Sequence, residues 1–265
     1  MLSADLLFDL THFSHAALFR ENQPVWSALH NLTQYMDDYP YQEDLVGSLA
    51  DGVTAREHII LHEGRQLTAH QCRIDYGDTL RGGLIISRDG KVLEGASLIM
   101  AGAVLLGSRI GIGRGTLIEG GATVKAPALI GDRTELRQGA YLRGYSLIGD
   151  RCVVGHATEV KHSIFLDDAK AGHFAYLGDS IIGNDANLGA GTKCANLRFI
   201  PGDVQIIYQG TLYSTGRRKL GAIIGDNAQT GCNSVTSPGT ILARDCVLMP
   251  NSTAPSGFLS DRRIG

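Results

Sequence analysis

Two sets of polar residues in this chain have the types and spacing to do chemistry. Lys125, Arg143 and Lys161 recur at intervals of 18 residues, each directly after an aliphatic residue. Cations stacked without acidic neighbours repel one another unless an anion lies among them. None of the three positions is acidic, which raises an anion site above the plainer reading of solvated side chains. Twelve residues after Lys161, the stretch "KAGHFAYLGDSIIGNDANLGAGTKCANLRF" brings His173, Tyr176, Asn187 and Asn196. Imidazole is the usual proton acceptor near neutral pH, and a phenol and two amides can hydrogen-bond a polar ligand. The chain has nine histidines, and a single one is more often structural or exposed than catalytic. His173 is singled out because it falls where a regular pattern breaks.

That pattern is a hexad. An aliphatic residue heads each unit from Ile112 through Ile118, Val124, Ile130, Leu136, Leu142, Ile148, Val154 and Val160 to Leu166, without an insertion. Glycine often follows the head (113, 131, 149, 155), and the fifth position is small, as in Ala122, Thr134, Ala140, Ser146, Cys152 and Thr158. A period of six suits neither an amphipathic helix nor a two-faced strand. It suits a solenoid of short parallel strands with heads inward and glycine at the corners. The pattern returns at Ile182, Leu188, Ile224, Leu242 and Leu248, and two shortened hexads around "AGHFAY" account for the shifted register. Solenoids of this class take three hexads per turn, a geometry belonging to the class rather than to the spacing. It would stack Lys125, Arg143 and Lys161 at the strand separation of about 4.8 Å.

Two segments stand outside the repeat. "QPVWSALHNLTQYM" puts Val25, Leu29, Leu32 and Met36 on one helical stripe, with Pro24 near its start. With "DLTHFSHAALFR" it predicts a small N-terminal helical cap, residues 1–54, over the first coil, whose open edge would otherwise invite aggregation. Residues 55–265 are then the solenoid. Within it, 197–221 reads as a projecting hairpin turning near Gln209-Gly210, and 55–92 as strands leading into the first coils.

A net charge of −3 leaves no global basic field for nucleic acid. No apolar run approaches the roughly 18 residues of a membrane span, and "MLSADLLFDLTHF" lacks the basic lead of a signal peptide. Five cysteines, odd in number and without C-x-x-C spacing, indicate a reducing, cytoplasmic setting. Cys152 and Cys246, at fifth positions, read as packing residues.

The segments "GAYLRG", "VVGHATEVKHS", "KAGHFAYLGDSIIGNDANLGAGT" and "IIGDNAQTG" resemble the acetyltransferase half of the bifunctional enzymes that make UDP-N-acetylglucosamine. "CANLRF" with "GRRKLGAIIGDNAQTGCNS" is similar to archaeal-type sugar-1-phosphate nucleotidylyltransferases carrying the same C-terminal domain. The resemblance covers roughly residues 112–255. It implies an all-β fold, a left-handed parallel β-helix, whereas the general crossover rule favours the right-handed form. It further implies a homotrimer with acetyl-CoA bound between subunits, and an amino-sugar phosphate as acceptor.

Carried over to this chain, the resemblance makes His173 the general base. Arg143 and Lys161 become the pair holding the sugar phosphate, and Tyr176 and Asn187 sugar-binding residues. Ala190, Asn196, Lys219 and Cys232 line the acetyl-CoA cleft. Acetyl transfer of this kind forms no covalent enzyme intermediate and calls for no metal. Two features depart from the pattern: "CANL" stands where the bacterial enzymes have "CNY", and the hairpin is long. The first 90 residues show no Gly-rich phosphate loop, so nucleotidyl transfer is not expected. Three other readings stay open. One is a non-catalytic binder of sugar phosphates or sugar nucleotides. Another is a structural scaffold. The third is a zinc hydro-lyase using His156, His162 and His173, although their spacing does not resemble the paired H-x-x-x-x-H of that family.

Overall fold

From Ser97 onward the chain runs as strands of two to four residues separated by tight corners. In the computed structural model, which describes residues 1–265, these strands stack into three long sheets. One coil shows the plan: Val153–His156 lies on face 1, Glu159–Lys161 on face 2 and Ser163–Phe165 on face 3. Strands on each face pair in parallel with those of neighbouring coils. Leu117 aligns with Glu135 and Glu135 with Val153, and Val124 with Leu142 and Leu142 with Val160. The 18-residue step is therefore one turn, and the fold is a parallel β-solenoid of three hexads per turn. Ile118, Leu136, Val154, Val124, Leu142, Val160, Ile130 and Ile148 share one buried core. The small fifth positions lie buried at the corners. Their hydroxyls satisfy backbone groups there: Thr134 Oγ1 donates to Gly149 O (2.8 Å) and accepts from Cys152 N (3.0 Å).

The register slips one hexad earlier than the sequence pattern suggests. Phe165, not Leu166, pairs with Ile148 and points into the solenoid core, while Leu166 joins an outer cluster. The cause is the corner between faces 2 and 3. Gly144-Tyr145 make it in one coil, His162 alone in the next and Asp179 alone after that. Both single residues take the left-handed conformation, with φ of 47° and 50°. In the following coil this corner expands instead, and holds the hairpin between Cys194 and Ala222. Its strands Gln205–Tyr208 and Thr211–Ser214 pair antiparallel around Gln209 and Gly210, both with positive φ, the two-residue turn that matches strand twist.

Helix α1, Ser27–Asp37, buries Ala28, Leu29, Leu32 and Met36. They pack with Leu129, Leu147, Ile164, Ile181, Ile223 and Ile241, the central residues of the face 3 strands. The helical segment thus clads the side of face 3 rather than closing the first coil, because that face presents an apolar row outward. The first coil is closed by α2, Glu43–Gly47, with Val46 in the solenoid core. Strands Asp51–Thr54 and Ile59–His62 then pair antiparallel with its edge. Residues 72–92 form a separate three-stranded antiparallel sheet whose Leu84 and Ile86 pack with Leu98 and Leu117 of face 1.

Candidate active site

Face 2 and its two corners carry almost every predicted site residue. Lys125 aligns with Arg143, and the next strand continues the row with Lys161. The row itself holds no acid, as expected, but carboxylates from outside it reach two of its cations. Arg143 Nη1 donates to Glu159 Oε1 at 2.6 Å, Lys161 Nζ lies 3.9 Å from Asp179 Oδ2, and Lys125 Nζ sits 5.6 Å above the Tyr141 ring. The acids come from other hexad positions on neighbouring coils, which spacing along one row does not reveal.

Tyr176 aligns with Glu159 on one side and Lys193 on the other, and Gly178 with Lys161. A Cβ on Gly178 would lie 2.6 Å from the Tyr176 hydroxyl and 2.5 Å from Asn196 Nδ2. The missing side chain is therefore what lets the phenol and the amide meet over the strand. Burial, then the Glu159 and Asp179 charges, push the Tyr176 hydroxyl above its ordinary pKa, so it enters the site as a neutral donor.

Asp179 is the hub of the corner between faces 2 and 3, with its side chain 6% exposed. It accepts from Asn196 Nδ2 (2.7 Å) and Arg217 Nη2 (3.0 Å), and His162 Nδ1 lies at 3.4 Å. Its carbonyl accepts Gly221 N, which ties down the end of the hairpin. Burial, and then the Arg217 charge, lower the His162 pKa to about 4. His162 is thus neutral at pH 7, and it bridges to the helical segment through Thr33 Oγ1 at 3.4 Å. Sequence reasoning missed Asp179, Arg217 and Glu159, and considered His162 only as a metal ligand. The short corners at His162 and Asp179 were the available signal. Nothing in "GRRKLG" says that Arg217 turns inward while Lys219 stays exposed, its carbonyl accepting Arg217 Nε.

The opposite corner, between faces 1 and 2, is open. His173 stacks on His156, and its carbonyl accepts Gly191 N at 3.0 Å. Ala190 and Cys232 follow on the same ladder, accepting Asn233 N and Asn251 N. The His173 ring is exposed, makes no hydrogen bond within the chain and lies 6.0 Å from the Phe174 ring. Phe174 has φ of 34°, where equivalent positions in other coils hold Gly121, Gly139, Ala157, Gly191, Asn233 and Asn251. A bulky residue there is strained by about 1–2 kcal/mol.

The predicted residues therefore fall into two groups. Arg143, Lys161, Tyr176 and Asn196 meet on face 2, while His173, Ala190 and Cys232 share the open corner. Tyr176 begins the strand three residues after His173, within about 10 Å along the chain. Asn187 lies apart on face 1, beside Lys170 and Gln229, and Lys219 on the hairpin base opposite Leu197. His162 occupies the far corner from His156 and His173, so a zinc site built from these three would have to draw on two subunits. No helix is long and apolar enough to cross a membrane.

The chain is thus a hexapeptide-repeat β-solenoid with a polar, basic face. Residues 124–216 match the family model described as the GMPPB C-terminal domain. A stretch of 99 residues is 41% identical to the bifunctional sugar-1-phosphate nucleotidylyltransferase/acetyltransferase of Sulfurisphaera tokodaii, covering 37% of this chain and 25% of that protein. Another of 98 residues is 41% identical to the bifunctional protein GlmU of Methanococcus vannielii, covering 37% and 23%. The match spans about a quarter of the length of these relatives. Among solved structures, an Arabidopsis UDP-N-acetylglucosamine acyltransferase aligns over 56% of this chain and 59% of its own, with 15% identity and a TM-score of 0.28.

Proposed function

We propose that this protein is an acyltransferase of sugar-phosphate metabolism, moving the acetyl group of acetyl-CoA to the amine of a hexosamine-1-phosphate. The observation that carries the reading is the corner at His173. An exposed imidazole with no partner in the chain stands at the edge of a face that carries Arg143, Lys161 and Lys193. The names of the relatives, which include acetyltransferase, support the same reaction class.

In the reaction, the sugar amine attacks the thioester carbonyl, a C–N bond forms and the C–S bond breaks. His173 accepts the amine proton, and the CoA thiolate leaves. Arg143 and Lys161 hold the phosphate, with Tyr176 on the sugar hydroxyls and Asn187, apart on face 1, reaching them from a neighbouring subunit of the trimer. Asn196 with Ala190, Lys219 and Cys232 line the path of the acyl donor, and backbone N–H groups at the corner stabilise the oxyanion. No cysteine acts as nucleophile, and burial raises the Cys152 thiol far above its ordinary range. A homotrimer in the cytoplasm, with the donor between subunits, completes the proposal.

The second reading is a non-catalytic sugar-phosphate binder, which would use the same face without turnover. Thiol release from acetyl-CoA with glucosamine-1-phosphate or galactosamine-1-phosphate decides between them. Release that depends on the sugar and falls about 10²–10⁴-fold in His173→Ala, with an unchanged melting temperature, is the expected result. Binding of the sugar phosphate without release would leave the binder.

A further inference from the structure

We infer that Lys193 is a further phosphate-ester site on face 2, a reading that rests on the proposed acetyl transfer. Besides Lys125, which lies over the Tyr141 ring four strands away from Lys193, four cations (Arg143, Lys161, Arg217 and Lys193) and two carboxylates (Glu159 and Asp179) gather on this face and where the hairpin turns Arg217 inward. Three of the four cations are spoken for. Arg143 is held by Glu159 at 2.6 Å, and Arg217 and Lys161 share Asp179 at 3.0 and 3.9 Å. Lys193 has no carboxylate within ion-pairing distance. Its side chain is exposed, and its ammonium donates only to the Gly191 carbonyl, at 2.7 Å. That contact uses one of three N–H donors, leaving two for a ligand.

Its position joins the two groups of site residues. Lys193 aligns directly with Tyr176 on face 2, about 4.8 Å away between strands. Its inward-facing neighbour Cys194 fixes it on the outer side of the sheet, where the Tyr176 ring also lies. The Gly191 carbonyl draws the ammonium toward the open corner, where Gly191 N bonds the carbonyl of His173. A dianionic phosphate bound here would meet a free cation without first displacing a carboxylate, as it must at Arg143 or Lys161. Two phosphate esters enter the proposed reaction, on the sugar and on the CoA donor, and the chemistry of the lysine suits either.

Steady-state kinetics on Lys193→Met and Lys193→Arg separate the sources. The sugar arm compares hexosamine-1-phosphate with unphosphorylated hexosamine; the donor arm compares acetyl-CoA with the acetyl thioester of N-acetylcysteamine. The expected result is a KM about tenfold higher in Lys193→Met for the phosphorylated member of one pair. The unphosphorylated member should be unchanged, kcat nearly so, and Lys193→Arg close to wild type. Equal effects on both members of each pair, or no effect on any, would overturn the site. If wild type releases no thiol, calorimetric titration with hexosamine-1-phosphate and with CoA replaces the kinetics. Binding of either, weakened in Lys193→Met, would keep the site while the transferase reading falls. Binding of neither, or binding unaffected by the substitution, would remove the Lys193 site.

Discussion

The two corners that bound face 2 are built in opposite ways. At the corner with face 3, Asp179 is buried and saturated: Arg217, Asn196, His162 and Lys161 all converge on it, and the helical segment and hairpin lock the cluster from outside. At the corner with face 1, His173 is exposed and unpartnered, and its neighbour Phe174 is held at φ of 34°. A saturated polar cluster fixes geometry, since each buried group has its partner and rearranging it would strand one. An unsaturated one keeps its hydrogen-bonding capacity for something outside the chain. Under the proposed function, one corner does the positioning and the other the reaction.

The contrast breaks most visibly if the base and the hub are removed in turn. His173→Ala should abolish nearly all acetyl transfer at little cost in stability, as set out above. Asp179→Ala should do the reverse. With Arg217 left buried and unpaired, stability should fall by about 3–5 kcal/mol in chemical denaturation. Retained stability in that variant would mean that the cluster does not hold the hairpin. Lys193→Met tests the free cation between the corners, with its smaller, roughly tenfold effect on one KM.

Phe174→Asn sharpens the comparison further. Asparagine accepts the left-handed conformation far more readily, and the Phe174 side chain is already mostly exposed. The variant should therefore gain about 1 kcal/mol in stability while turnover declines, as the ring beside His173 is lost. A variant that is more stable and equally active would separate the strain from function.

The remaining prediction concerns pH dependence. The folded His162 has a pKa of about 4 against 6.5 for the ordinary group. Between these values the unfolded chain binds more protons than the folded one, so stability falls as pH drops from 6.5 toward 4. Above 6.5 the contribution of the neutral imidazole is fully present. Denaturant melts of His162→Gln should show a shallower acid slope in that window and little change at pH 8. An unaltered slope would assign the acid sensitivity to other groups.

Much of this architecture was legible in the hexads. Heads, small fifth positions and the Gln209-Gly210 turn each report a local requirement: an inward side chain, a crowded corner, a positive φ. The register slip was not legible, because "IFL" offers two adjacent large hydrophobes, Phe165 and Leu166, and only pairing with Ile148 decides which turns inward. The helical stripe was equally plain, with Leu29, Leu32 and Met36 buried. Its destination was not, since an apolar stripe says that it is covered and not by what.

For the candidate site, the hexad repeat determined the rows once three hexads make a turn. Residues 18 apart share a face because the backbone repeats, so Lys125, Arg143 and Lys161 had to align. Only the tertiary structure decided their charge state of pairing. Glu159 reaches Arg143 across a strand, and Asp179 gathers Lys161 and a hairpin arginine from 38 residues away. Ion pairs depend on distances of a few ångströms between side chains of different coils, and a one-dimensional pattern fixes which residues share a row, not which of them touch.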